Sequence, residues 1–152
     1  METRFRAAGA EEISRAWGEA PYDFLVTPDR VYEPRDVEGV FLVVGSDDVA
    51  LVTWSVAEAE IVSLDAFVEG RGYGTAAMEY AEAQLQAAGC SDARLHTTNP
   101  NVRAITLYLR RGYRVVKIHL DAMDRVRALK PGVPLEEHGL PLRDAWELVK
   151  EL

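Results

Sequence analysis

Cysteine is almost absent from this chain of 152 residues, and the single Cys90 cannot form a disulfide within one molecule. No apolar run approaches the ~20 residues that a membrane-spanning helix needs. The first residues, METRFRAAGAEE, contain no apolar signal segment. Internal repeats and low-complexity segments are also missing. These absences predict a microbial cytoplasmic protein without a membrane partner.

Histidine and basic side chains are scarce as well. The three histidines and one cysteine show no ligand spacing along the chain, so no metal site is predicted. The 17 basic residues are outnumbered by 25 acidic ones, which argues against a nucleic-acid partner. Residues 1–69 carry 5 basic and 15 acidic side chains, whereas residues 70–117 carry 7 and 3. An anionic ligand is therefore expected at residues 70–117 and a cationic one elsewhere.

The composition is that of an ordinary globular chain, with 48% hydrophobic and 28% charged residues. Residues 1–152 are predicted to form a single domain around one core. The order of periodic segments is strand, helix, antiparallel hairpin, strand, helix, strand, helix and two strands, which predicts a mixed α/β sheet with helices on both faces. A dinucleotide-binding domain would alternate strands and helices evenly. The predicted strands are 3–8, 39–44, 49–56, 59–68, 93–97, 113–119 and 144–149, and the predicted helices are 10–19, 75–88 and 101–111, with a helical turn at 122–129.

Local signals add detail to these elements. The second predicted helix is amphipathic and places Glu82 on its solvent face. Asn99 followed by Pro100 is typical of an N-cap and a first helical residue. Residues 21–38 and 130–141 are rich in proline. The first segment is predicted to be a loop or a short helical turn and is a candidate lid over a site, and the second is predicted to be a loop.

The stretch from Val62 to Met78 is the most informative part of the chain. An apolar run ends at Val68, a loop with three alternating glycines follows, and an alanine-rich helix comes next. Glycines let successive backbone N–H groups point in one direction, and a helix start adds unpaired N–H groups and a positive dipole end. The stretch therefore predicts an anion site.

Two motifs of the chain, one in this stretch and one at residues 101–113, resemble those of the GCN5-related N-acetyltransferase (GNAT) superfamily. The loop reads EGRGYG over residues 69–74, with both required glycines in place but Glu69 where Gln or Arg is usual. The second motif comprises Asn101, Ala104, the pair Leu107-Tyr108 and the pair Gly112-Tyr113. The resemblance covers essentially the whole chain. The tail RALKPGVPLEEHGLPLRDAWELVKEL further resembles a bacterial branch that has no settled substrate.

The resemblance implies a fold and a donor. The fold is a mostly antiparallel central sheet of about six to seven strands, and the donor is acetyl-CoA, whose pyrophosphate would rest on the glycine loop. Glu69 would repel that pyrophosphate unless it turns to solvent or pairs with an arginine. The donor-binding residues implied by the resemblance are Ala66, Phe67, Val68, Arg71, Gly72, Tyr73, Gly74, Thr75, Asn101 and Tyr108.

The resemblance also implies catalytic roles. Asn101 and Tyr108 lie about two turns apart on one helical face, where Tyr108 would protonate the departing thiolate. Glu60 and Asp65 are alternative general bases, and a base other than these two, or a chain of waters, is left open as well. Five positions apart on one strand, the two side chains are predicted to face opposite sides. His96 is a third candidate, although a packed histidine explains it as well. Trp54 fits either the core or the wall of an acceptor pocket.

The predicted function is transfer of acetyl from acetyl-CoA to the primary amine of a small molecule, directly and in a ternary complex. No nucleophile with a partnered base suggests a covalent intermediate. The alternatives are a non-catalytic acyl-CoA-binding module, an O-acyltransferase on the same fold and a domain without a ligand. The protein is expected to be a monomer or a homodimer.

Overall fold

The computed structural model describes residues 2–152, and its central feature is a seven-stranded sheet. The strands are β1 (Thr3–Ala7), β2 (Leu25–Val26), β3 (Val31–Tyr32), β4 (Glu38–Val44), β5 (Asp47–Ser55), β6 (Glu60–Ala66), β7 (Asp92–Thr98), β8 (Arg114–His119), β9 (Glu136–Glu137), β10 (Leu140–Pro141) and β11 (Ala145–Glu151). The helices are α1 (Ala10–Trp17), α2 (Tyr73–Ala87), α3 (Val102–Arg110) and α4 (Ala122–Leu129), with a 3₁₀ turn at Pro34–Asp36.

The large sheet has the strand order β1-β4-β5-β6-β7-β11-β8. Its adjacent strands are antiparallel except for β6 and β7, which run parallel. Among the described residues these two strands share one registered pair, Glu60 with Arg94, and then diverge. The predicted mixed, mostly antiparallel sheet is confirmed, and a gap opens between β6 and β7 near its centre.

Helices cover both faces of the sheet. On one face, α2 buries Met78 and Leu85 against β4, β5 and β6. On the other, α1 packs Ile13 close to Gly39, where an added Cβ would lie 3.1 Å from the Ile13 side chain. A larger residue at Gly39 would therefore push α1 away from the sheet. Among residues 2–152 no helix has both the length and the apolar character needed to cross a membrane.

A β-bulge in β6 changes which side chains share a face. Thr53 pairs with Ser63 and Trp54 pairs with Ile61, so the intervening residue, Val62, has no partner on β5. Side chains of a regular strand alternate strictly between the two faces of the sheet. The extra residue interrupts this alternation, so each side chain after it lies on the face opposite to the one that counting predicts.

The predicted placement of Glu60 and Asp65 on opposite faces is wrong for this reason. Glu60 pairs with Ser55 and Asp65 pairs with Leu51. Ser55 and Leu51 lie four positions apart on β5 and share a face, so their partners share it too. Both carboxylates therefore project from the face that α1 covers.

The start of α3 also differs from the prediction. The helix is capped by Asn101, whose side chain accepts a 3.4 Å hydrogen bond from the Ala104 N–H. Asn99 instead accepts 3.0 Å bonds from the backbone N–H groups of Arg143 and Asp144. The prediction that Asn99 caps this helix was wrong because its tertiary partners lie more than forty residues away in sequence.

Glu82 was predicted to face solvent but is 7% exposed. It accepts hydrogen bonds from Arg111 at 2.5 Å, from the Tyr113 hydroxyl at 2.8 Å and from Lys150 at 3.2 Å. Buried carboxylates are tolerated when they are paired in this way. The periodicity of α2 gave no sign of it, because the partners follow α3 or lie in β11.

Both predicted loops contain short strands. Residues 21–38 include the β2–β3 hairpin and the 3₁₀ turn, and residues 130–141 include the β9–β10 hairpin. Lys130 donates a 2.7 Å hydrogen bond to the Phe24 carbonyl, and Arg125 donates one of 3.0 Å to the Pro28 carbonyl. The β2–β3 hairpin is thus held against α4.

Candidate active site

The glycine loop joins the end of β6 to the start of α2. Gly70 and Gly72 have positive φ values of 76° and 74°, which L side chains rarely adopt. Gly72 is the N-cap of α2, and no side chain of residues 2–152 bonds to the N–H groups of the first turn. The N–H groups of Tyr73, Gly74 and Thr75 are therefore available to an anion, and the helix dipole favours one there.

A cavity of about 840 Å³ lies in front of this helix start. Its walls are the end of β6, the glycine loop, the first turn of α2 and one side of α3. The residues that line it are Leu64, Ala66, Val68, Glu69, Gly70, Gly72, Tyr73, Gly74, Thr75, Asn101, Arg103, Ala104, Thr106, Leu107, Tyr108, Arg110 and Arg111.

Two of the predicted donor-binding residues, Phe67 and Arg71, are exposed and do not line this cavity. The Phe67 N–H donates a 2.9 Å hydrogen bond to the Val49 carbonyl and so points toward β5. Because N–H directions alternate along an extended strand, the N–H of Ala66, the last residue of β6, points to the other side, toward the gap beside β6. The chain bends after Ala66, so this alternation does not extend to Val68.

Glu69 forms an ion pair with Arg103, its carboxylate oxygen lying 2.7 Å from the guanidinium. Both side chains are more than two-thirds exposed, so the pair adds little stability. Its effect is local: the unexpected negative charge at the mouth of the cavity is offset by a neighbouring positive charge. Arg111 is likewise paired, with Glu79 and Glu82, whereas Arg110 has no ion pair among residues 2–152.

Tyr108 lies on α3 and is 9% exposed. The hydroxyls of Tyr32 and Tyr113 donate hydrogen bonds to Glu60 and Glu82, but within residues 2–152 the Tyr108 hydroxyl has no partner. Burial, followed by the negative charge of Asp65, raises the pKa of Tyr108 to about 12. The side chain therefore keeps its proton at physiological pH and can donate it into the cavity.

Glu60 lies on the opposite face of the sheet and is 1% exposed. The Tyr32 hydroxyl donates to one of its oxygens at 2.5 Å, and Nδ1 of His96 lies 2.7 Å from the other. Burial lowers the pKa of His96, but the hydrogen bond and charge of Glu60, together with Glu147, outweigh this and raise that pKa. Glu60 and His96 are therefore one coupled unit, whereas the sequence analysis proposed them as two separate candidates for the general base.

A smaller cavity of about 160 Å³ lies on this face, between the β2–β3 hairpin, α4 and the sheet. Glu60, Val62 and His96 contribute to its wall. Part of the predicted lid, residues 25–28, lines it as well. The structure thus brings Glu60 and His96 together at a second opening.

Asp65 differs from Glu60 in its surroundings. It is partly buried, and no hydrogen bond or ion pair to its carboxylate is found among the described residues. Burial raises the pKa of Asp65 above its ordinary value. A carboxylate with a raised pKa and no partner is a stronger base than one already bound on both oxygens.

Trp54 and Cys90 lie away from both cavities. Trp54 is part of the core beneath α2, which is one of its two predicted placements. The Cys90 thiol follows α2 and lies 3.7 Å from the Val56 carbonyl. Tyr32 was interpreted as a packing residue and not as a ligand, because an aromatic residue in a proline-rich segment more often packs. It is buried, and its hydroxyl in addition bonds to Glu60.

The chain is similar in sequence to known proteins. The model of the acetyltransferase (GNAT) family matches residues 15–113. The uncharacterized protein YxbD of Bacillus subtilis is 34% identical over 146 residues, which are 92% of this chain and 89% of that protein.

Solved structures share the fold at low sequence identity. An IAA acetyltransferase from Bacillus cereus has a TM-score of 0.76 at 17% identity, over 99% of this chain and 100% of that one. A GNAT family acetyltransferase from Elizabethkingia anophelis, solved with acetyl-CoA bound, has a TM-score of 0.73 at 16% identity, over 99% and 98%.

Proposed function

Since this chain belongs to the acetyltransferase (GNAT) family, we propose that it transfers acetyl from acetyl-CoA to the primary amine of a small molecule. One observation carries the proposal: the unpaired N–H groups at the start of α2 and the unpartnered hydroxyl of Tyr108 open into one cavity of about 840 Å³. The acetyl-CoA bound to the similar Elizabethkingia enzyme supports the choice of donor. The proposal takes residues 1–152 as a single acetyltransferase domain.

The donor would lie along the large cavity. Its pyrophosphate would accept hydrogen bonds from the N–H groups of Tyr73, Gly74 and Thr75. Arg110, which has no ion pair within residues 2–152, adds positive charge to the same wall. The amides of the pantetheine arm would pair with the backbone over residues 66–68, where the N–H of Ala66 faces the gap between β6 and β7.

The transfer would occur where this gap opens. The amine nitrogen attacks the thioester carbonyl and forms a carbon–nitrogen bond, and the carbonyl oxygen takes up negative charge. The N–H of Ala66 is oriented to stabilise that charge. The carbon–sulfur bond then breaks, the thiolate receives the Tyr108 proton, and the nitrogen loses a proton to a base. The products are an acetamide and CoA with a free thiol, without a covalent enzyme intermediate.

Asp65 is the base that the surroundings favour. Its carboxylate has no hydrogen-bond partner among the described residues, and its raised pKa brings it closer to neutrality. Glu60 remains the alternative, but both of its oxygens already accept hydrogen bonds or lie against His96. Because the bulge at Val62 puts both carboxylates on one face, either one would serve an amine that approaches from the α1 side.

The acceptor is proposed to be cationic before it reacts. Residues 1–69 hold 15 of the 25 acidic side chains, and the β2–β3 hairpin within them lines the small cavity beside Glu60. Negative potential at that opening would concentrate an ammonium ion beside Glu60, the alternative base.

The test is thiol release from acetyl-CoA across a panel of small amines and matched alcohols. Turnover with at least one amine, and not with its alcohol analogue, is the expected result. Turnover with alcohols alone would replace the proposal with O-acyl transfer. Saturable acetyl-CoA binding without turnover on any acceptor would indicate a binding module, and an absence of acetyl-CoA binding would remove the assignment altogether.

A further inference from the structure

Two histidines and a glutamate converge on the half of the sheet away from the proposed donor cavity. They lie on the adjacent strands β7, β11 and β8. His96 is registered opposite Glu147, and His119 is registered opposite Ala145, two positions from Glu147 on the same face. The pairing of the backbone therefore places all three side chains side by side.

Their potential ligand atoms are close enough to share one ion. Oε1 of Glu147 lies 3.2 Å from Nε2 of His96 and 2.8 Å from Nε2 of His119. One ligand atom from each of the three residues lies within 4.8 Å of the others. Tetrahedral zinc with bonds of about 2.0–2.1 Å holds its ligand atoms about 3.3 Å apart, which is within this range.

Both ring nitrogens of His96 lie beside carboxylate oxygens, and this arrangement favours a cation at the ring. Nδ1 of His96 lies 2.7 Å from a Glu60 oxygen, while Nε2 faces Glu147. A neutral imidazole has only one N–H, so one ring nitrogen would present a lone pair to a carboxylate. Either a second proton or a metal ion resolves that contact. A ligating histidine that gives its other N–H to a carboxylate is the usual arrangement around metals.

The surrounding charges favour a cation as well. An Asp29 oxygen lies 3.6 Å from Nε2 of His96 and adds a third carboxylate to those of Glu60 and Glu147. Arg94 lies 2.9 Å from Asp29 and 3.7 Å from Glu60, and so offsets one of these charges. With neutral histidines, the cluster has a surplus of negative charge and a partly buried set of nitrogen and oxygen donors.

We propose that His96, His119 and Glu147 bind one divalent transition-metal ion of the Zn²⁺ type, with Asp29 on the open side of the site. Two imidazoles and a carboxylate suit Zn²⁺ better than Mg²⁺ or Ca²⁺, which prefer oxygen ligands alone. The ion would be held by three strands of the sheet and would lie against the small cavity that His96 lines. The site is independent of the donor cavity.

The experiment is a calorimetric titration of untagged, chelator-treated and dialysed protein with Zn²⁺, without acetyl-CoA. One equivalent is expected to bind. His119→Ala and the nearly isosteric Glu147→Gln should each weaken binding by about 10–100-fold. His138→Ala is the matched control, since this third histidine is exposed, lies 3.5 Å from Glu137 and should leave binding unchanged. Circular dichroism establishes that each variant is folded.

A second measurement uses only the wild-type protein, so it remains valid if a variant fails to fold. Histidine ring signals of the wild-type protein are followed by NMR as Zn²⁺ is added, and those of His96 and His119 should shift while that of His138 does not. If wild-type protein binds Zn²⁺ no more tightly than His119→Ala, or if the signal of His138 alone responds, the proposal is overturned. The cation beside Glu147 is then a proton on His96.

Discussion

The Tyr32 hydroxyl donates a 2.5 Å hydrogen bond to Glu60, and both side chains are almost inaccessible to solvent. Tyr32 comes from the β2–β3 hairpin and Glu60 from the first position of β6. The contact therefore joins a proline-rich connecting segment to the centre of the sheet. It also fixes one oxygen of a carboxylate whose other oxygen faces His96.

Tyr32→Phe should destabilise the protein by about 1–3 kcal/mol, because a buried charged acceptor loses its donor. Urea unfolding of the variant and the wild type measures the difference. Tyr22→Phe is the control: Tyr22 is exposed, and no hydrogen bond of its hydroxyl is found among residues 2–152. Equal stability of Tyr32→Phe and wild type would mean that Glu60 finds another donor.

Tyr108→Phe should lower kcat by about 10²-fold or more with little change in acetyl-CoA affinity, since a general acid acts mainly in the transition state. Steady-state thiol release measures kcat, and calorimetry measures affinity. Tyr113→Phe is the matched control, because it removes a buried hydroxyl that bonds to Glu82 outside the large cavity's lining. The control should lose thermal stability but keep its kcat.

Gly74→Trp should weaken acetyl-CoA binding by at least about tenfold, because a bulky side chain at the start of α2 would fill the proposed pyrophosphate position. An added Cβ there lies 3.6 Å from Leu107, so the backbone tolerates the change and the fold should persist. Gly132→Trp, in a loop with open space around it, is the control. Unchanged affinity in Gly74→Trp would exclude this donor position.

Glu69→Gln should strengthen acetyl-CoA binding by about two- to fivefold, since an exposed ionic interaction is worth up to about 1 kcal/mol. The substitution removes a negative charge and frees Arg103 for the phosphates. The gain should shrink as salt is added. Glu33→Gln, which breaks an exposed ion pair with Arg35 far from the cavity, should leave affinity unchanged.

Asp65→Asn should lower kcat/KM by about 10²-fold and remove the acidic limb of its pH profile, because a protonated Asp65 cannot accept the amine proton. Burial raises the pKa of Asp65, so the midpoint of this limb should lie above the ordinary aspartate pKa of about 3.9. Glu60→Gln provides the comparison. If it abolishes the limb and Asp65→Asn does not, Glu60 is the base.

The same pKa shift has a consequence for stability. The native state binds the Asp65 proton more tightly than the unfolded state does. The bound proton therefore stabilises the fold below the unfolded pKa of about 3.9, and this stabilisation is lost as the pH rises through the native pKa of Asp65. The Asp65→Asn variant has no proton to lose at this position and keeps its stability over the same pH range. The free energy of unfolding of the variant, relative to that of the wild type, should therefore rise between pH 4 and pH 7, as urea melts would show.

The residues proposed to bind the donor could be identified from the sequence because their determinants are local. The glycines of residues 70–74 predict a turn of the backbone, and the spacing of Asn101 and Tyr108 predicts that both lie on one helical face. Most of the predicted donor-binding residues line the large cavity, and their role in binding the donor stays a prediction. The structure also confirms the predicted class of sheet.

The surroundings of the proposed bases could not be predicted in the same way. Their geometry depends on a bulge at Val62, which leaves no mark in the apolar pattern of β6. It also depends on contacts between residues distant in sequence, such as His96 with Glu147, 51 positions apart. Spacing along the chain carries no information on such pairs. The same limitation applies to Glu82, whose partners lie in the turn after α3 and in β11.

The divergence of β6 from β7 gives the protein an unpaired strand edge in the middle of its sheet. An exposed edge at the rim of a sheet invites pairing with other chains and thus aggregation. Here β7 and its neighbours continue the sheet beyond that edge, so the Ala66 N–H lies inside the sheet and not at its rim. Under the proposed donor placement, a slender extended ligand would take the pairing that a neighbouring strand provides elsewhere in the sheet.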